Sequence, residues 1–175
     1  MKCHRVPPVD KTGRSACHTR TGQTEGEGST AMFLGEYQHT LDAKGRISLP
    51  AKFRLQMTGK VVVAQGIDRN LYVYEAEEYE KFVAKLLARE DFNPAVRKLR
   101  AFFTAGADEI ELDSAGRVAI KASLREYAGL TKDVVVTGNG SRIDIWDAAR
   151  WQEYKASAAE SIDDLAQELA DAGLW

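Results

Sequence analysis

A ten-residue string that occurs twice constrains this chain more than any other feature. "LDAKGRISLP" at residues 41 to 50 returns as "LDSAGRVAIK" at residues 112 to 121, with Leu, Asp, Gly and Arg at the same spacing. Shifting the chain by 71 places superposes Leu41 on Leu112, Asp42 on Asp113, Gly45 on Gly116, Arg46 on Arg117, Leu49 on Ile120 and Arg54 on Arg125. With one further residue of shift, "VVAQG" from Val62 meets "VVVTG" from Val134, and "LYVY" from Leu71 meets "IDIW" from Ile143. Tyr79 then matches Trp151, and Phe82 matches Tyr154. The chain is an internal duplication of roughly 50 residues per copy.

Each copy reads as one series of elements. A short strand leads to a turn carrying Gly45 or Gly116, and "RISLP" or "RVAIK" then alternates as a half-buried strand does. Glycine supplies a positive φ for a tight reversal, which predicts that the strands on either side of the turn pair. "PAKFRLQMT" and "KASLREYAGL" read as short helices, followed by two apolar strands and a longer amphipathic helix. Between the copies, "NPAVRKLRAFFTAGA" begins with Asn93 as N-cap and Pro94 at the first helical position. Its stripe Val96, Leu99, Phe102 and Phe103 is suited to packing against the folded body or a neighbouring subunit.

These signals divide the chain into an N-terminal extension (1–31), a first repeat (32–90), a linker helix (91–106), a second repeat (107–155) and an acidic C-terminal tail or helix (156–175). The extension lacks the apolar run of a signal peptide and reads as disordered. Met32 opens the ordered stretch and is a candidate start of translation. Both cysteines, Cys3 and Cys17, lie in the extension, each followed by a histidine, His4 and His18. Adjacent residues in an extended chain point apart, so no tetrahedral metal site is expected, and the absence of cysteine from the folded part fits a reducing cytoplasm. No run approaches the roughly 18 apolar residues of a membrane span.

A formal net charge of −2 hides segregation. Lys44, Arg46, Lys52 and Arg54 face only Asp42 within residues 42–54, and Arg117, Lys121 and Arg125 face only Asp113 within 113–125. Positive charge thus collects in the echoed segments, while Glu153, Glu160, Asp163, Asp164, Glu168 and Asp171 make the C-terminus acidic. Arg46 follows a glycine reversal and carries a planar donor fork suited to guanine O6 and N7 or to a phosphate. Lys44 at the tip suits a phosphate. Asp42 is repelled by phosphate and is better placed to pair with Arg46 or to accept backbone hydrogen bonds in the turn; Asp113 and Gly116 repeat the turn-forming roles. Ala115 replaces Lys44 in the second copy, so the first is the stronger candidate for recognition, and Arg117 is divided between DNA and assembly. Arg54 and Arg125 read as solvated helix residues.

"MFLGEYQHTLDAKGRISLPAKFR", the second "LDSAGRVAI", "LREYAGLTKDVVVTG" and "IDIWDAARWQEY" resemble the bacterial MraZ proteins, a family of the AbrB-like swapped-hairpin group. The resemblance runs from Met32 to about Trp151. It implies an α+β, mainly β fold, a pseudo-twofold double-hairpin β-barrel of two repeats with flanking helices. It further implies a sequence-specific transcriptional regulator, acting on double-stranded DNA at promoters with short repeats in the division and cell-wall gene cluster, its own included. Ring-shaped homo-oligomers, a nucleoid-associated cytoplasmic location and DNA contacts through Lys44, Gly45, Arg46 and Arg117 go with that expectation. No cofactor, membrane partner or small-molecule substrate is expected.

Two other classes compete on the residues. Paired aspartates about a pseudo-twofold axis suggest an aspartic protease, but two residues separate Asp from Gly in each copy and the following Arg would hold the carboxylate ionised. With no nucleophile triad or phosphate loop in the folded part, the chain reads as a non-enzyme. The alternative is a ring-forming structural or antitoxin-like partner-binding module, for which the C-terminal Ile162, Leu165 and Leu169 supply an apolar stripe.

Overall fold

The computed structural model describes residues 32–57, 59–88 and 93–174. The Cys-His pairs and the expected disorder of the N-terminal extension lie outside the described residues. The first repeat contains β1 (Phe33–Thr40), β2 (Arg46–Ser48), α1 (Ala51–Arg54), β3 (Lys60–Gln65), β4 (Leu71–Glu75) and α2 (Ala76–Leu87). After α3 (Pro94–Ala105), the second repeat supplies β5 (Ala107–Glu111), β6 (Arg117–Ala119), α4 (Ala122–Ala128), β7 (Asp133–Gly140), β8 (Arg142–Asp147) and α5 (Ala148–Asp171).

The strands form a six-stranded antiparallel sheet in the order β1-β7-β8-β4-β3-β5, and a separate ribbon of β2 with β6. Reversing that order exchanges the two repeats, with β4 and β8 meeting at the centre. The outer strands are swapped: β1 of the first repeat pairs with β7 of the second, and β5 of the second with β3 of the first. This corrects the expectation that the strands flanking each glycine turn pair with one another. Two backbone bonds close each turn, Asp42 N–H to Arg46 O and Gly45 N–H to Asp42 O in the first and Asp113 N–H to Arg117 O and Gly116 N–H to Asp113 O in the second, before the chain leaves for the other repeat. The sheet keeps two edges, β1 and β5, and no ladder joins them among the described residues.

Alternation explains how the sheet has two apolar faces. On the inner face, Val61, Val63, Leu71, Val73, Val134, Val136, Ile143 and Ile145 pack with Ile47 and Val118 of the ribbon and with Phe53 and Leu124 of the short helices. Phe53 is fully buried, edge-on to both Phe33 and Tyr37. The outer face of the first repeat, Val62, Ala64, Tyr72 and Tyr74, is covered by Tyr79 and Phe82 of α2 and by Phe103 of α3. The stripe of α3 therefore packs on the body of its own chain, leaving Leu99 exposed. Asn93 caps this helix, its side chain accepting from Ala95 N–H at 2.9 Å. Among the described residues the second repeat has no separate helix corresponding to α3, and Trp146, Trp151 and Tyr154 pack on one another. Residues 156–171 continue α5 without a break.

Register refines the alignment of the copies. Val61 pairs with Glu75, and Val134 with Asp147, so β3 corresponds to β7 with Val61 on Val134 rather than Val62 on Val134. The stretch from Val61 to its partner Glu75 is accordingly one residue longer than that from Val134 to Asp147, which preserves the inward-facing set on both sides.

One buried ion pair lies near the centre. Asp144, 5% exposed, accepts from Arg142 Nε at 2.8 Å and from Asn139 Nδ2 at 3.1 Å. The Arg142 guanidinium also stands 4.0 Å over the ring of Tyr72 and donates to Tyr74 Oη at 3.3 Å, tying the repeats together. Burial pushes the Asp144 carboxyl up even with this partner. Removing Arg142 leaves that carboxylate buried without its counter-charge, a change that costs about 3–5 kcal/mol. Urea denaturation of Arg142→Ala is expected to show a loss of that order at neutral pH. The loss shrinks as pH falls, because the folded state takes up a proton on Asp144 before the unfolded state does.

Candidate nucleic-acid interface

The ribbon and its two turns bring the echoed residues together. Its register sets Arg46 opposite Ala119, Ile47 opposite Val118 and Ser48 opposite Arg117. Ile47 and Val118 are completely buried, so alternation places Arg46, Ser48, Arg117 and Ala119 together on the other face. Arg46 and Arg117 are diagonal neighbours on that face, within reach of one another's long side chains.

Each turn is organised by one carboxylate. Asp42 Oδ1 accepts from Lys44 N–H at 2.8 Å and Arg46 N–H at 2.9 Å, while Oδ2 accepts from Arg46 Nε at 2.7 Å. Arg46 Nη2 also stands 2.7 Å from Oδ2. Asp113 repeats the pattern, accepting from Ala115 N–H at 2.9 Å, Arg117 N–H at 3.0 Å and Arg117 Nε at 2.7 Å. The hydrogen bond from the backbone N–H four residues on leads the effects that hold both carboxyls below the usual carboxylate range. Lys44 is exposed at the first tip, and the Arg46 and Arg117 side chains keep 28% and 35% of their surface.

Gly45 and Gly116 sit at φ 73° and 70°, where a side chain is strained. Each is also pressed by an arginine of the other repeat. A Cβ at Gly45 would lie 1.5 Å from Arg125 Nη1, and one at Gly116 would lie 2.1 Å from Arg54 Cδ. Arg54 Nη1 further donates to Ala115 O at 2.8 Å. Arg54 and Arg125, which their sequence context presents as solvated helix residues, thus also pack on the turns of the other repeat. The signal that could have found them was their own echo at the spacing of Arg46 and Arg117. Backbone bonds interlock the same parts: Ile120 N–H donates to Gly45 O at 2.9 Å, and Leu49 N–H to Gly116 O at 3.3 Å.

Among the described residues, no group of three or more His, Cys, Asp or Glu side chains is arranged to hold a metal ion, and no helix is long and apolar enough to cross a membrane. The carboxylates of the two turns are occupied by arginine and backbone N–H groups. What the ribbon offers is a paired set of planar cationic donors on a narrow two-stranded scaffold.

A family model described as "MraZ protein, putative antitoxin-like" matches residues 32–102 and again 103–172. Proteins named Transcriptional regulator MraZ are similar over most of the chain. The one from Syntrophomonas wolfei is 41% identical over 143 residues, 82% of this chain and all of that protein. That from Halothermothrix orenii is 43% identical over the same length and coverage. That from Oenococcus oeni is 43% identical over 140 residues, 80% of this chain and 98% of the relative.

Two outcomes follow from the turn geometry. Gly45→Ala forces a side chain into the left-handed region and displaces the Arg125 guanidinium, so chemical denaturation should show a loss of about 1–2 kcal/mol. The depressed Asp42 and Asp113 carboxyls stabilise the fold above the pKa they have in the unfolded chain, and that contribution is lost as pH falls through the folded values. Carboxyl carbon NMR titration should therefore give midpoints below those of ordinary aspartates, with the turns unchanged between pH 6 and 8; midpoints in the ordinary range would mean that the chelate is not formed in solution.

Proposed function

The chain belongs to the MraZ family, and on that footing we propose that it is a sequence-specific DNA-binding transcriptional regulator whose β2·β6 ribbon enters the major groove. The observation that carries the reading is the pair Arg46 and Arg117 on one face of a two-stranded ribbon, with Lys44 exposed at the first tip. A two-stranded ribbon fits the major groove of B-DNA, where arginine reads guanine O6 and N7. Asp42 does not contact DNA; it holds the Arg46 guanidinium in place, so that less side-chain entropy is lost on binding. Lys44, Gly45, Arg46 and Arg117 form the DNA interface, and Asp42, Asp113 and Gly116 maintain the turns.

The first turn dominates, because Ala115 gives the second no charge at its tip. On this reading the ribbon and the sheet together act as one AbrB-like barrel unit, and several such units in a ring would address several short operator repeats at once. The expected targets are promoters of the division and cell-wall cluster, the chain's own promoter among them, in the cytoplasm at the nucleoid. The exposed stripe Ile162, Leu165 and Leu169 on α5 favours assembly or partner binding as a second reading.

Fluorescence anisotropy of the chain with the duplex upstream of its own reading frame, against a scrambled duplex, tests the proposal over a salt series. Tight binding to the first duplex alone, weakened by salt, is expected. Arg46→Ala should cost about 1–3 kcal/mol of specific binding, and Lys44→Ala should weaken both duplexes and lower the salt slope by about 1. Equal weak binding to both duplexes would leave partner binding as the better reading.

A further inference from the structure

The two arginines outside the ribbon are arranged as its supports, and the arrangement is crossed. Arg54 belongs to α1 of the first repeat, yet its side chain lies on the turn of the second, where the missing side chain of Gly116 makes room for its stem. Its Nη1 closes the contact on Ala115 O at 2.8 Å. Arg125 belongs to α4 of the second repeat and lies over Gly45 of the first turn, with Nη1, Cζ and Nε at 1.5, 2.6 and 3.2 Å from where a Cβ would stand. The helices carrying them are rooted in the core through Phe53, fully buried, and through Leu124 and Ala128. Matching surface grooves record the same symmetry, one bringing Arg125 together with Leu41, Asp42 and Ala43, the other bringing Arg54 together with Asp113, Ser114 and Gly116.

We propose that Arg54 and Arg125 are positioning residues for DNA recognition, each fixing the reading turn of the opposite repeat. Neither repeat completes its own turn. Asp42 and Asp113 set the local conformation of the loop, and an arginine from the other repeat presses that loop against the body of the protein, beside the backbone bonds to Gly45 O and Gly116 O. The flat guanidinium suits this task because it can cover the backbone of a glycine, and that of Arg54 also donates to the carbonyl of Ala115. It also explains why a glycine is needed at 45 and 116 beyond the demand of φ. The assignment rests on the turns being the DNA interface, and its effects on binding inherit that reading.

The crossing makes an unusual expectation. Arg125→Ala, a change in the second repeat, should loosen the first turn, and Arg54→Ala, in the first repeat, should loosen the second. Amide hydrogen exchange followed by NMR on the full chain reads this without DNA. Arg125→Ala is expected to speed exchange at Lys44 and Arg46 at least tenfold while leaving Ala115 and Arg117 unchanged, and Arg54→Ala to do the reverse. Because Lys44 and Arg46 lie in the first turn, Arg125→Ala should also weaken binding to the upstream duplex more than Arg54→Ala does. Arg125→Lys, which keeps the charge without the planar fork and guards against a variant that fails to fold, should leave the turn amides fast. Loss of affinity in Arg125→Ala with unaltered turn amides would overturn the proposal, making Arg125 a direct phosphate contact. So would faster exchange in the turn of the same repeat, or a uniform rise across the chain. Crossed exchange effects with no change in DNA affinity would uphold the positioning and count instead against the turns as the DNA interface.

Discussion

Antiparallel pairing between the repeats is the constraint on which the rest depends. β1 has its ladder with β7, β5 with β3, β4 with β8 and β2 with β6; among the described residues only the β3-β4 and β7-β8 hairpins pair within a repeat. A repeat by itself would expose the backbone edges of its outer strands and half of a hydrophobic layer. The inner core shows the same dependence, since Ile47 and Val118 enter it from opposite repeats and are both fully buried. Duplication within one chain makes the second partner permanently available and removes the concentration dependence of assembling two separate copies.

Against this interlocked body the turns stand out as polar structures held by short, charge-assisted bonds. One carboxylate satisfies two backbone N–H groups and the arginine fork, so a five-residue loop gains a fixed shape with little apolar burial. Rigidity of this kind suits recognition, because the arginine and the loop are ordered before a ligand arrives. The other polar cluster, Arg142 with Asp144, Tyr72 and Tyr74, lies on the outer face of the sheet and joins the repeats, and the burial of Asp144 distinguishes it from the more exposed pair at each turn.

Local features were legible in the sequence because their causes are local. The glycine turns, the Asn93-Pro94 start of α3 and the short helices after Pro50 and Lys121 each announce themselves within a few residues. The family resemblance added the expectation of swapped hairpins, whereas turn chemistry alone led to pairing across each turn, and the structure contradicts it. The offset between Val61 and Val134 escaped alignment because "VVVAQG" and "DVVVTG" are nearly uniform runs of valine, in which only pairing and face distinguish neighbouring registers. The roles of Arg54 and Arg125 are not legible locally, because their surroundings are set by residues 61 or more positions away; on a short amphipathic helix, the local sequence around a charged residue gives no sign that a foreign turn lies beneath it.

The strand exchange also has a meaning in time. β1 spans residues 33–40 and its partner spans 133–140, so the first strand leaves the ribosome about a hundred residues before there is anything for it to pair with. At roughly 5–20 residues per second, that interval is on the order of ten seconds. A strand waiting so long with unpaired backbone invites association with other nascent chains. Most of β1 is suited to the delay: Glu36, Gln38 and Thr40 alternate along it, and Gly35 and His39 add little apolar surface. Its buried Phe33 and half-buried Tyr37 pack against Phe53, which is made soon afterwards and can shelter them before β7 arrives.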